Sequence, residues 1–250
     1  MAAIRPRLPH TVALYSVREH LTATPEATLT DLARLGFTHA EPFDIVNRRN
    51  ALASARSATG FHFPTAHSQL IGEDAEAVFT AARELGVDTV IAPFTEPAQW
   101  NAPEAIGAIA DALNALVPTA EQYDLRIGYH NHWWELTSRI GDRTGLEYLI
   151  DRLDPAVAIQ VDTYWCAAGG EDPAELLRRL GDRVIALHIK DGDLSLDGTG
   201  QTPAGRGRVD IASILAAAPH AQRIIEFDSY DGDVITAIGT SLAHLTETDI

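Results

Sequence analysis

The feature that most constrains this chain is an alternation, repeated eight times, of a short apolar run and a helical pattern. The runs cover residues 11–16, 37–41, 61–67, 88–93, 125–132, 157–162, 183–190 and 223–228. The helical patterns cover 26–35, 51–58, 74–85, 103–123, 145–153, 173–180, 211–218 and 234–245. The runs show little polar–apolar alternation, which is how parallel strands covered on both faces read. Gly36, Gly86 and Gly181 each follow a leucine that closes a helical stripe, where a left-handed residue is wanted. Thr24 and Asp172 precede first-turn prolines, and Asp210 precedes Ile211, so all three are expected as helix N-caps. Eight strand–helix units in 250 residues predict a single (β/α)8 barrel domain spanning 1–250. A doubly wound sheet would need a phosphate-binding glycine loop after the first strand, and YSVREH has no glycine. The glycine-rich stretch 192–208 between the seventh run and its helix is expected to act as a lid over the mouth.

In such a barrel the chemistry gathers where the strands end. The runs here end in Glu41, in His67, in His130-Asn131-His132 with Glu135 just beyond, in Asp162, in His188 and Lys190, and in Glu226 and Asp228. Carboxylates and imidazoles converging without thiolates suit a divalent ion: Mn²⁺ first, with Mg²⁺, Co²⁺, Fe²⁺ or Zn²⁺ as alternatives. Asp162, His188 and Glu226 are the expected ligands, with one more group from the fifth run. A net charge of −16 counts against nucleic acid and an anionic membrane as partners. It does not count against a small sugar or a cation. No apolar run approaches a membrane span, and the N-terminal stretch does not read as a secretory signal. The lone cysteine, Cys166, can form no internal disulfide and reads as an inert small residue. A cytoplasmic protein is expected.

Several motifs point further: YSVRE from Tyr15, LGFTHAE ending at Glu41, YHNHWWEL from Tyr129, QVDTYW around Asp162, ALHIKDG around His188, AGRGRVD and IIEFD. Together they resemble the sugar phosphate isomerase/epimerase group of the xylose isomerase-like barrel superfamily, across nearly the whole chain. The resemblance implies a metal at the mouth held by Glu, Asp, His and Glu from strands five to eight. Asp162, His188 and Glu226 match three of these. Strand five departs, with His130-Asn131-His132 where many relatives have a glutamate before Asn-His. Either His130 takes the ligand role or Glu135 folds back to supply the carboxylate, and the second is preferred because it keeps the site's charge.

The chemistry expected of such a site is proton abstraction next to a carbonyl, on a sugar, keto-sugar or cyclitol. Glu226, His130 and Glu135 are the candidate catalytic groups. His67, His132, Lys190 and Trp165 are candidate substrate contacts. An isomerase or epimerase is expected first. A lyase of the inosose dehydratase or 3-keto-glycoside deglycosidase type is the main rival, since both begin with the same step. An abasic-site endonuclease and a non-catalytic sugar-binding subunit are further alternatives. Relatives of this kind often assemble as homo-oligomers. Gly205-Arg206-Gly207-Arg208 lacks P-loop spacing and reads as a turn.

Overall fold

The computed structural model describes residues 8–248; the segment 1–7 lies outside the described residues. Eight parallel strands share one sheet: β1 (Thr11–Ala13), β2 (His39–Glu41), β3 (Phe63–His67), β4 (Val87–Ala92), β5 (Arg126–His130), β6 (Ala158–Asp162), β7 (Val184–Ile189) and β8 (Gln222–Ile225). Their order is β2-β1-β8-β7-β6-β5-β4-β3. Single parallel bridges, His39 with His62 and Phe43 with His67, bring β2 to β3 and nearly close the ring. A helix follows each strand: Pro25–Arg34, Ile45–Thr59, Ala75–Leu85, Pro103–Gln122, Gly145–Ile150, Pro173–Leu180, Ile211–Ala217 and Val234–Thr248. This is the (β/α)8 barrel the eight units predict.

The strands are shorter than the apolar runs. β1 stops at Ala13 because Leu14–Val17 winds into a 3-10 turn that buries Leu14 and Val17 and leaves Tyr15 exposed. β8 stops at Ile225, so Glu226 and Asp228 stand on the loop beyond it. Asp172 and Asp210 cap their helices as expected, through Glu175 N at 3.0 Å and Ser213 N at 3.1 Å. Thr24 makes no side-chain capping bond; its carbonyl instead accepts the Thr28 hydroxyl at 2.9 Å. Gly86 and Gly181 close their helices at φ +65° and +56°, where a Cβ would be strained.

The segment 192–208 is stitched down, which corrects the expectation of a free lid. Asp191 turns its buried carboxylate away from the mouth and accepts four backbone N–H groups: Gly192 at 2.8 Å, Gly205 at 2.9 Å, Gly207 at 2.8 Å and Val209 at 3.0 Å. A Cβ at Gly207 would collide with that carboxylate, which explains the glycine. Gln201 pairs with Asp228 through both its amide groups, at 2.7 and 2.8 Å.

Inside the ring lies a small apolar floor of Ala13, Ala186 and Ile224, separate from the large core between strands and helices. The level above it is polar, and it forms the mouth. No helix among the described residues is long and apolar enough to cross a membrane.

Candidate active site at the barrel mouth

Side chains alternate faces along a strand, so residues two apart share the inward face. Gln160 and Asp162 on β6, His188 on β7 and Glu226 past β8 therefore meet in the ring. Asp162 and His188 are direct register partners. Asp162, His188 and Glu226 each offer a ligand atom, all within 4.8 Å of one another, and all three are buried.

His188 is gripped at both ring nitrogens. Nδ1 lies 2.6 Å from Glu226 Oε2 and Nε2 lies 2.6 Å from Glu41 Oε1. Burial lowers an imidazole pKa, but Glu226 and Glu41 outweigh it and raise His188 to about 10. Glu41 is held ionised at about 2, because His67 and His188 overcome the cost of its burial. Glu226 likewise sits well below the usual carboxylate range, its burial outweighed by His188 and Lys190. Burial pushes Asp162 up to about 6 even with Lys190 and His188 beside it.

Gln160 fixes the imidazole tautomers. Its Nε2 donates to Glu41 Oε2 at 2.7 Å. Its Oε1 is then an acceptor and takes both His67 Nε2 at 2.6 Å and His130 Nδ1 at 2.9 Å. The protonated nitrogen of His130 is thereby Nδ1. Burial holds this imidazole well below its ordinary pKa, so Nε2 keeps its lone pair, 3.6 Å from Asp162 Oδ2. A neutral imidazole with its free lone pair toward the carboxylate cluster is a ligand-competent group. His130 also belongs to a second close set with His67 and His188.

Glu135 goes elsewhere, contrary to the preferred expectation for strand five. Its Oε1 accepts the Tyr129 hydroxyl at 2.9 Å and its Oε2 accepts the His132 backbone N–H at 2.9 Å. It belongs to neither cluster of candidate ligands among the described residues. Burial pushes its carboxyl up to about 8. Lys190 does not pair with Asp191 and does not face the cavity. Its ammonium sits 2.8 Å from Asp162 Oδ2 and 2.6 Å from both Glu226 Oε2 and Asp228 Oδ2. Trp165 lies beneath it, the ammonium 5.5 Å from the ring centroid, and Trp165 N donates to Asp162 Oδ1 at 3.0 Å. Trp165 thus braces the acid from the protein side. Cys166 is buried, and burial raises its thiol pKa far above the ordinary value, as expected of an inert residue.

A cavity of about 570 Å³ opens above the cluster, and His67, His130, His132, Glu226 and Asp228 reach it. His132 stacks on Trp134 at 4.4 Å and is held neutral by burial, at about 3. Its Nδ1 is buried without a hydrogen-bond partner. Gln160 is the functional residue that sequence reasoning missed. The available signal was its position two residues before Asp162, on the same face.

A parallel (β/α)8 ring with acids and imidazoles gathered at the carboxyl ends of its strands defines the class by its fold. The family described as xylose isomerase-like TIM barrel matches residues 32–245, and the chain belongs to that family. An inosose dehydratase of Bacillus anthracis is 33% identical over 84 residues, 33% of this chain and 27% of that protein, so the match takes in little more than a quarter of the relative. The structure of a sugar phosphate isomerase/epimerase from Parabacteroides distasonis superposes with a TM-score of 0.82 at 17% identity, over 100% of this chain and 96% of that one. An IOLI protein with a bound zinc atom superposes with a TM-score of 0.74 at 16% identity, over 97% and 98%. At these identities the two structures show the shared fold.

Proposed function

We propose that the protein is a divalent-metal-dependent isomerase or epimerase of a sugar, keto-sugar or cyclitol, working by proton abstraction next to a carbonyl. The observation that carries the reading is the convergence of Asp162, His188 and Glu226 within 4.8 Å beneath the cavity. The donor set fits a cation. Lys190 already places a positive charge between Asp162 and Glu226. To ligate, His188 would give up the Nδ1 proton it shares with Glu226 while Nε2 keeps its bond to Glu41, and a carboxylate behind a histidine is the usual support for a ligand of this type. Asp162, His188 and Glu226 would hold the ion, with His130 Nε2 as the strand-five ligand. Mn²⁺ is the first candidate for this set of two carboxylates and two imidazoles, with Mg²⁺, Co²⁺, Fe²⁺ and Zn²⁺ as the alternatives. Such an ion, when bound, stabilises the enediolate and so acidifies the neighbouring C–H.

The chain's own groups supply the rest. Glu226 is ionised and open to the cavity, so it is the proposed base. His130, with Nδ1 on Gln160 and Nε2 given to the ion, would hold the ion rather than carry a proton. His67 and His132 orient hydroxyls. Lys190 keeps Asp162, Glu226 and Asp228 from repelling one another. The lyase reading remains the alternative, supported by the similarity to inosose dehydratase. In the proposed setting the protein acts in the cytoplasm on a small molecule, as a homo-oligomer.

Incubating Mn²⁺-loaded protein in D₂O with D-fructose, D-tagatose and an inosose, read by NMR, tests the proposal. Deuterium entering next to the carbonyl without loss of water supports the epimerase. An eliminated product assigns the lyase. Neither, with Mn²⁺ shown to be bound, rejects both.

A further inference from the structure

The chain has 19 lysine and arginine residues, and Lys190 is its only lysine. It lies just past β7, two residues beyond His188, and so turns to the same inward face. Its side chain is 1% exposed. A lysine ammonium is a compact point charge, whereas an arginine presents a wide planar fork. The compact head suits the point where three carboxyl groups converge. Nζ lies 2.8 Å from Asp162 Oδ2 and 2.6 Å from both Glu226 Oε2 and Asp228 Oδ2. Two of those three acids, Asp162 and Glu226, are proposed ligands of the ion.

The pairings are unequal. Lys190 donates a hydrogen bond to Asp228 Oδ2 at 2.6 Å. Asp162 Oδ2 is buried with no hydrogen-bond partner, so the ammonium beside it is held there by charge and not by a directed bond. The other Asp162 oxygen is taken by Trp165 N at 3.0 Å. Oδ2 is therefore the oxygen that Asp162 has to offer an ion, and it is the one Lys190 covers. Asp228 is fixed separately. Gln201 donates to its Oδ2 at 2.7 Å and accepts its N–H at 2.8 Å, and Arg18 donates to its carbonyl at 3.0 Å. It belongs to neither set of candidate ligands among the described residues.

We infer that Lys190 is an internal competitor for the cation position: it neutralises Asp162 and Glu226 while no ion is bound, opposes the ion's entry, and keeps only its bond to Asp228 once the ion has taken the other two acids. The inference rests on the proposed function for the identity of the competing ion. Two cations on the same pair of buried carboxylate oxygens repel one another strongly. Buried carboxylates without a cation are costly in turn. Without Lys190, the ion-free ring would set the imidazolium of His188 alone against Glu41, Asp162 and Glu226. The lysine thus lets the barrel fold without its ion, and it weakens the ion's hold when the ion arrives.

The test compares Mn²⁺ affinity, by calorimetry on chelator-stripped protein, in the wild type and in Lys190→Met, which keeps an unbranched stem and removes the charge. Lys190→Met is expected to bind Mn²⁺ about tenfold tighter or more. Its ion-free form is expected to melt roughly 10 °C lower than the wild type and to recover when saturated with Mn²⁺. A residue that merely orders the ligands gives the opposite sign, so equal or weaker binding in Lys190→Met overturns the inference. A second measurement needs no variant and stands if Lys190→Met does not fold. In wild-type protein labelled with ¹³C-lysine the single lysine gives one Cε signal, and titration with diamagnetic Zn²⁺ is expected to move it in step with the ion bound. A signal that stays in place as the ion binds overturns the inference as well. If the wild type binds Mn²⁺ and Lys190→Met binds it no tighter, this inference alone falls. If neither binds it, the metal reading falls and this inference with it.

Discussion

Glu135 is a buried carboxyl that accepts the Tyr129 hydroxyl and the His132 N–H. Its pKa rises from 4.5 to about 8 on folding. Between those values the folded chain keeps a proton that the unfolded chain has lost, so this group makes stability fall as pH rises from 5 to 8. A protonated Glu and a Gln present the same donor and acceptor to Tyr129 and His132. In urea titrations at several pH values, Glu135→Gln should therefore gain on the wild type steadily from pH 5 to 8. Parallel curves would show that Glu135 is ionised throughout. Glu41 makes the opposite case, a carboxylate that must stay charged. It accepts from His188 Nε2, from Gln160 Nε2 and from the Thr65 hydroxyl. In Glu41→Gln one amide oxygen cannot serve all three, and His188 loses its fixed tautomer. Mn²⁺ affinity should drop about 10–100-fold, with Glu41→Asp recovering part of it. Unchanged affinity in Glu41→Gln would reduce Glu41 to a tie between strands.

At the scale of elements, Asp191 shows how a glycine-rich connection becomes rigid. Four N–H groups converge on one buried carboxylate. Asp191→Ala leaves all four unmet and should cost about 2–4 kcal/mol in denaturant unfolding, with new protease cleavage confined to 192–208. Cleavage at the wild-type rate would mean the segment is held by other bonds. The same element marks where reading the sequence stopped short. The strands were legible because parallel strands need unbroken apolar runs. Their ends were not, since Leu14–Val17 is as apolar as a strand and yet turns. The helices Trp134–Thr137 and Thr163–Ala168 are too short to show a helical period. Strand-end acids and imidazoles announced the cluster of Asp162, His188 and Glu226. Direction beyond the strand was not legible: Asp191, three residues from His188, turns away as alternation requires, but Glu135 lies past the end of β5 where alternation no longer applies.

For the molecule as a whole, the net charge of −16 and the acid-lined mouth act together. Inside, Lys190 and the imidazolium of His188 are set against Glu41, Asp162, Glu226 and Asp228. Buried carboxylates in excess leave the ring short of positive charge, which a divalent ion would supply. The barrel brings that deficit to a single point, at the end of strands β5 to β8. The most direct test is a titration of chelator-stripped protein with Mn²⁺, followed by electron paramagnetic resonance, in the wild type and in Asp162→Asn and His188→Asn. The account predicts one bound ion per chain in the wild type and its loss in both variants. A wild type that binds no Mn²⁺, or variants that bind it as well as the wild type, would contradict the account.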